Sequence, residues 1–297
     1  MKKFLSVVLV LLLMAGTSYG LEKKVIKLGL LSKLNTTEEQ FMETWRKTFA
    51  PKNENFEIVI KFYDNLNAMQ MALNVNDINE MILPDFTADY VMNMDKSYRS
   101  SLVLRSKGMG LAFGFSAENK HLQMQFNEAL TALISDWTLS ALEGIYIASP
   151  GMTEPEPIEF RNFEGAEEIR IAVTGDLPPI DYIAADGRPA GFSTAVLSEI
   201  GRYLKKNIKL INIEAGARTA ALTSGRVDVV FWYEIDTTKE VQPDVPEGII
   251  LSQPYYEWNR FVHLVKVRDE DKKTKGWDPS SWWSVRDVIN LHDTGAQ

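Results

Sequence analysis

The chain has 297 residues, 45% of them hydrophobic and 24% charged, which suits about two globular domains of ~100–200 residues and excludes a disordered or fibrous chain. Its net charge is −8 with no basic stretch, so nucleic acid is not an expected partner. It has no cysteine, and its three histidines (His121, His263, His292) stand at no ligand spacing; disulfides and thiolate chemistry are removed, and no metal or other cofactor is expected.

Lys2 and Lys3 precede an apolar run from Phe4 to Met14, followed by Ala15-Gly16-Thr17-Ser18-Tyr19-Gly20. A charged start, a short apolar run and small residues are the pattern of a secretory signal, here cut after Gly20. The run is too short for a bilayer, which needs ~20 apolar residues. The alternative is a buried N-terminal helix. Loss of the two lysines leaves a net charge of −10. No cysteine follows the apolar run, which argues against a lipid anchor, and no later segment is long and apolar enough to span a membrane. The mature chain is expected to be soluble, periplasmic and not membrane-embedded.

In chain order, residues 25–31 read as a buried strand. Asn35-Thr36-Thr37-Glu38-Glu39 starts a helix, with Thr36 and Glu39 in capping-box spacing. Residues 56–63 alternate as a strand, a helix follows through Asn67–Leu73, Met81-Ile82-Leu83 is a third strand, and Phe86–Tyr90 opens another helix. Strands alternating with helices imply a parallel α/β sheet. Met109–Phe115 is a further strand. Residues 119–147 are expected to form one amphipathic helix, with Leu122, Phe126, Leu130, Leu133 and Ile134 on one face.

Ser149-Pro150-Gly151-Met152-Thr153-Glu154-Pro155-Glu156-Pro157 lacks periodicity and reads as a linker running to about Glu168. A second alternating block follows: strand 169–173, helix 192–205, strand 208–213, helix 218–223 closed by Gly225, strand 227–232 and strand 261–265. No internal repeat of 20–50 residues is visible.

Four pieces of this second block carry a family likeness: Gly175-Asp176-Leu177-Pro178-Pro179-Ile180, Asp186-Gly187-Arg188-Pro189-Ala190-Gly191-Phe192, Ala221-Leu222-Thr223-Ser224-Gly225-Arg226-Val227-Asp228 and Ser252-Gln253-Pro254-Tyr255-Tyr256. In this order and spacing they resemble the first lobe of type II periplasmic solute-binding proteins of ABC transporters, the polar amino-acid branch. The N-terminal half resembles the second lobe, through Leu28-Gly29, Asn35-Thr36-Thr37-Glu38, Ala72-Leu73 and Glu80-Met81-Ile82-Leu83-Pro84-Asp85. Gly110–Phe115 and the 119–147 helix resemble the family's closing strand and helix. The resemblance implies a two-lobed α/β flytrap whose lobe order is permuted. The implied division is a signal peptide at 1–20, a lobe-two-like domain at 21–105, the closing strand and helix of lobe one at 106–148, a linker at 149–168, lobe one at 169–268, and a crossover back toward lobe two at 269–297. Two truncated tandem copies are the alternative; complementary breaks and the lack of a duplicated lobe favour permutation. Neighbouring exposed termini tolerate it.

The likeness implies a ligand cleft at the carboxyl ends of the strands, closing about hinges near 103–110 and 262–268. Asp85 would pair with a ligand ammonium or cap its helix. Asn35, Thr36 and Thr37 offer helix N–H groups to a carboxylate, or serve only as a cap. Asp176 is a turn aspartate or a ligand contact. In Phe231-Trp232-Tyr233, alternation points Trp232 away from both neighbours, and Trp232 and Tyr233 either line the cleft mouth or pack the core. The family's carboxylate-clamping arginine is replaced by Glu240, and its stacking aromatics by Leu177 and Ala215, which leaves Arg218 or Lys239 as substitutes. A lysine cannot make a fork of two parallel bonds.

The expected function is capture of a small polar or amino-acid-like solute for an ABC transporter permease, by a monomer and without catalysis. Alternatives are a dehydratase-type enzyme using Asp85, Asp176 and Glu234 as acids or bases, and a ligand sensor acting on a membrane receptor.

Overall fold

The computed structural model describes residues 24–32, 38–39, 42–43, 49–51, 56–148, 150–152, 158–240, 242, 245–267 and 289–291. The expected signal segment, the Asn35-Thr36-Thr37 helix start with its capping box, and most of the crossover at 269–297 lie outside the described residues.

The N-terminal half contains β1 (Lys24–Leu31), β2 (Phe49–Pro51), β3 (Phe56–Tyr63), α1 (Leu66–Asn74), β4 (Glu80–Pro84) and α2 (Asp85–Met94). Asn65 starts α1 by accepting the Ala68 N–H at 2.8 Å. The helix buries Leu66, Met69, Ala72 and Leu73, spaced on one face. These pack with Met81, Leu83, Val262 and Leu264 in one apolar cluster. The other face of β1 buries Ile26, Leu28 and Leu30.

Next come β5 (Tyr98–Ser116), α3 (Lys120–Ser135) and α4 (Thr138–Tyr146). The expected strand at 109–115 is thus the end of a 19-residue strand, roughly 60 Å long at ~3.3 Å per residue. The single helix expected over 119–147 is two. Asp136 Oδ1 accepts the Thr138 N–H at 3.0 Å, and Trp137 takes a left-handed conformation with φ +67°, which stops one helix and starts the next. Leu122, Phe126, Leu130 and Leu133 face the core as expected, but Ile134, beside the break, is exposed. A non-glycine residue in the left-handed region costs about 1 kcal/mol, and Trp137 is 76% exposed. Trp137→Gly is therefore expected to raise stability by about 1 kcal/mol in urea denaturation; an unchanged or lower midpoint would show that the indole holds the break.

The C-terminal half contains β6 (Glu168–Val173), β7 (Asp176–Leu177), β8 (Asp181–Ile183), β9 (Pro189–Ala190), α5 (Phe192–Leu204), β10 (Asn207–Asn212), α6 (Arg218–Thr223), β11 (Val229–Asp236), β12 (Ile249–Leu251) and β13 (Tyr256–Lys266). Strand β14 (Ile289–Leu291) pairs with β2. Within the expected linker, residues 158–167 have no helix or strand but are pinned. Ile158 and Phe160 pack on the core, and the Asn207 side chain accepts the Phe163 N–H at 2.8 Å and donates to its carbonyl at 3.0 Å.

One sheet joins both halves, in the order β10-β6-β11-β5-β13-β4-β1-β3, with β12 on β5. β10, β6 and β11 run parallel, as do β3, β1 and β4. Between these two half-sheets lie β5 and β13, antiparallel to each other from Tyr256↔Leu111 to Lys266↔Tyr98. Each passes from one half into the other; β5 includes residues 103–110 and β13 includes residues 262–266 of the two stretches expected as hinges. The α/β class and the two halves joined by crossover strands are what the sequence implied.

Candidate functional site

The carboxyl ends of both parallel half-sheets meet the crossover ribbon at one seam. On the N-terminal side, β4 ends with Pro84 paired to Phe261, which also faces Leu104 of β5. On the C-terminal side, β11 ends with Asp236 paired to Met109, and the Thr237 N–H donates to the Gly108 carbonyl at 3.0 Å. Residues 105–108 and 258–260 thus lie where the carboxyl ends of the two half-sheets meet, the position at which the ligand cleft is expected from the sequence. The ladder is broken there: Trp258 faces Met109 and Arg260 faces Arg105, so residues 106–108 oppose Asn259 alone. Such bulges re-aim side chains and recur beside functional sites. Ser106 Oγ and Trp258 Nε1 are buried at this bulge with no hydrogen-bond partner among the described residues.

Asp85 is the first residue of α2, with Pro84 rather than Asp85 at the N-cap. Its Oδ1 accepts the Phe86 N–H at 3.0 Å, and its Oδ2 accepts from Arg260 Nε at 2.9 Å. The expected ammonium partner is therefore held by a side chain of β13. Asp89, one turn on, has its carboxyl pushed up by burial and then by the Asp85 charge, with Arg260 pulling the other way. The Tyr256 hydroxyl is pushed well above its usual range by burial, reinforced by Asp85 and Glu143.

Aromatic rings wall this seam. Phe86 lies edge-on to Tyr256 and Trp258, both at 5.5 Å, and Tyr256 stacks on Trp258 at 6.4 Å. Phe192 of α5 meets Tyr256 at 5.4 Å. Phe86 therefore belongs to the hydrophobic cluster of the C-terminal half although its helix belongs to the other. Tyr90 of α2 also meets Tyr182 of β8, at 6.1 Å.

The other expected site residues are distributed differently. Asp176 lies in β7, its backbone paired with Tyr182; its side chain lies outside the described residues. The turn before it is held by Asp181, whose Oδ2 accepts from Gly175 N at 2.7 Å, Thr174 N at 2.9 Å and Thr174 Oγ1 at 3.1 Å. Burial pushes the Asp181 carboxyl up against those bonds and the nearby Arg218. Arg218, expected as a replacement clamp, is instead fully buried within the C-terminal half, its guanidinium 5.7 Å from the Phe231 ring. Tyr233, expected at the cleft mouth, is also fully buried, its hydroxyl 3.2 Å from that of Thr219. A bulge between Val230 and Tyr233 breaks the expected alternation and sends Phe231 and Tyr233 into different clusters. Gly114 makes room for this, since a Cβ there would lie 2.5 Å from the Tyr233 ring. The Trp232 side chain lies outside the described residues. Lys239 is about half-exposed and pairs with Asp236 at 3.2 Å, in the turn tied to Gly108. The Asp236 carboxyl is held low, first by the Thr238 hydroxyl and also by Lys239.

Sequence reasoning missed Arg260. Its signal is a cation inside a strand whose neighbours Trp258, Phe261 and Val262 are apolar. It also missed Glu80 and His263, a buried pair between β4 and β13 with Oε2 to Nδ1 at 3.0 Å, joined by the Ser101 hydroxyl at 3.2 Å from Glu80. Among the described residues, no group of three or more acidic, His or Cys side chains could hold a metal, and no helix is long and apolar enough to cross a membrane.

Several solved structures are similar. The ligand-binding component of an ABC-type import system from Staphylococcus aureus, with zinc bound, is 12% identical over 82% of this chain and 66% of its own, with a TM-score of 0.41. An ABC transporter structure from Parabacteroides distasonis is 10% identical over 82% and 66%, with a TM-score of 0.40. The reduced OxyR regulatory domain from Pseudomonas aeruginosa is 8% identical over 83% and 90%, with a TM-score of 0.40. No curated protein sequence matches the chain. The family whose motifs the second block resembles is matched by residues 169–277, which include β7 through β13 and all of β6 but Glu168: the bacterial extracellular solute-binding proteins, family 3.

Proposed function

We propose that the protein is an exported solute-binding protein that traps a small polar or amino-acid-like solute between its two halves and delivers it to an ABC transporter permease. The observation that carries this reading is the seam. Two parallel half-sheets point their carboxyl ends at one two-stranded crossover, the arrangement in which hinge closure encloses a ligand. The family match over residues 169–277 supports a solute-binding role for the second half. The strand order supports a permuted chain, since β1 and β4 precede the closing helices and the lobe-one strands follow them. On this reading the segment at 149–168 joins the family's old ends, and the protein is a monomer without catalytic activity.

The test is native mass spectrometry of the protein taken from its own periplasm. A retained small molecule on a monomer is the expected result. A ligand-free dimer would argue for exchanged half-domains and against a complete cleft.

A further inference from the structure

We propose that the turn Pro150-Gly151-Met152 is a latch that clasps helix α2, holds the two halves together and sets how fast a captured solute is released. This rests on the solute-binding reading and names what governs release from that site.

The chain leaves the C-terminal half after α4, whose Leu139 and Tyr146 are buried in its core, and Ile158 and Phe160 pack on that core again. Between these points it visits the other half. Pro150 is buried, and its carbonyl accepts a hydrogen bond from Asn93 Nδ2 of α2 at 2.9 Å. Gly151 lies against the same turn of the helix: a Cβ there would stand 3.1 Å from Met94 Cγ and 3.2 Å from both the ring and the carbonyl of Tyr90. Its φ of +73° is in the left-handed region that glycine enters without strain. The close approach and the backbone angle both call for glycine, so the turn is shaped to the helix it touches. The Tyr90 ring also meets Tyr182 of β8, and Phe86 is buried in the core of the C-terminal half. Phe86, Tyr90, Asn93 and Met94 stand at i, i+4, i+7 and i+8, a single stripe of a helix. The C-terminal half thus grips α2 along one face. Phe86 stands beside Tyr256 and Trp258 of β13, and the latch lies about 12 Å further along the axis, at ~1.5 Å per residue. The halves cannot swing apart about the crossover strands without breaking this contact.

One neutral hydrogen bond and one glycine contact are weak enough to open and re-form. A contact made only with the halves together raises the population of that state, and with it the affinity for a solute enclosed there. On the permuted reading the turn belongs to the segment that joins the family's old ends, so the latch is a feature of this chain rather than of the family.

The experiment uses the mature full chain from its own periplasm, with the co-purified small molecule followed by native mass spectrometry after dilution. The chain has no cysteine, so an introduced pair meets no competing thiol. Met94 Cγ marks where a cysteine sulfur would sit, and its 3.1 Å from a Cβ at 151 matches the ~3 Å between a sulfur and its partner's Cβ across a disulfide. The oxidised double variant Met94→Cys with Gly151→Cys should lose the molecule at least tenfold more slowly than the same protein reduced with dithiothreitol. Asn93→Ala should lose it at least threefold faster than wild type, with unchanged circular dichroism. Amide exchange along α2 should slow in the oxidised pair and quicken in Asn93→Ala. Equal release from the oxidised and reduced pair, or wild-type release from Asn93→Ala, would overturn the latch and leave solute capture standing. No co-purified molecule on wild type, with α2 exchange still governed by the disulfide, would overturn solute capture and leave a clasp between the halves. Exchange along α2 that neither change moves would overturn the clasp itself.

Discussion

Replacing Asp181 by alanine is expected to cost about 3–5 kcal/mol, the scale for removing one partner from a buried charged network. Asp181 is 1% exposed and one of its oxygens accepts three hydrogen bonds from Thr174 and Gly175. Alanine leaves those donors facing an apolar gap, each buried unsatisfied group costing ~1–3 kcal/mol. It also removes a carboxylate that interacts with the buried Arg218. Asparagine keeps an accepting oxygen and should cost less. The pH dependence separates the two effects. Burial raises the folded carboxyl above its unfolded value of about 4, so the folded state holds this proton more tightly. The stabilisation it gives is complete below the unfolded value and is lost as pH rises through the folded one. Wild type should therefore lose stability relative to Asp181→Asn as pH is raised above about 4, in urea denaturation followed by tryptophan fluorescence. A loss under 1 kcal/mol for alanine would mean that the turn is not held by this carboxylate.

Phe86→Ala should be of similar size, about 3–5 kcal/mol, the range for truncating a well-packed phenylalanine. Phe86 is 4% exposed and its ring is shared between Tyr256 and Trp258. Its importance lies in where it comes from. The helix that carries it belongs to the N-terminal half, whereas its neighbours form the core of the C-terminal half. The substitution should therefore lower the urea midpoint and also raise hydrogen exchange along α2, because the helix loses its anchor in the other half. If exchange rises only in the C-terminal core, the ring packs that core without coupling the halves. The same residue follows Asp85, so the variant should also slacken the Asp85–Arg260 pair.

Elements with strong local periodicity were legible. β1, β3, α1, β6 and α5 appear within a residue or two of the expected ranges, since each carries its own apolar face. The failures have two causes. The break at Trp137 depends on a left-handed residue that is not glycine, with the Asp136 side chain accepting the Thr138 N–H beside it. The bulge that separates Phe231 from Tyr233 depends on space at Gly114, on another strand. The first lies within neighbouring residues but rests on a backbone conformation that a tryptophan rarely adopts; the second lies on another strand, outside any local window. The same holds for the site. Asp85 was identified by its place at the end of a strand, but its partner Arg260 is 175 residues away.

By itself the sequence determined the α/β class, the order of most strands and helices, and the motifs of the second block, because apolar period and turn residues act locally. Only the tertiary structure decided which charges are buried and which stand exposed where the two half-sheets meet. It sealed Arg218 and Tyr233 inside one half and set Arg260 exposed on β13, opposite Arg105. The physical reason is that an ionised side chain is placed by its solvation and its partner, and both depend on strands brought together from distant parts of the chain.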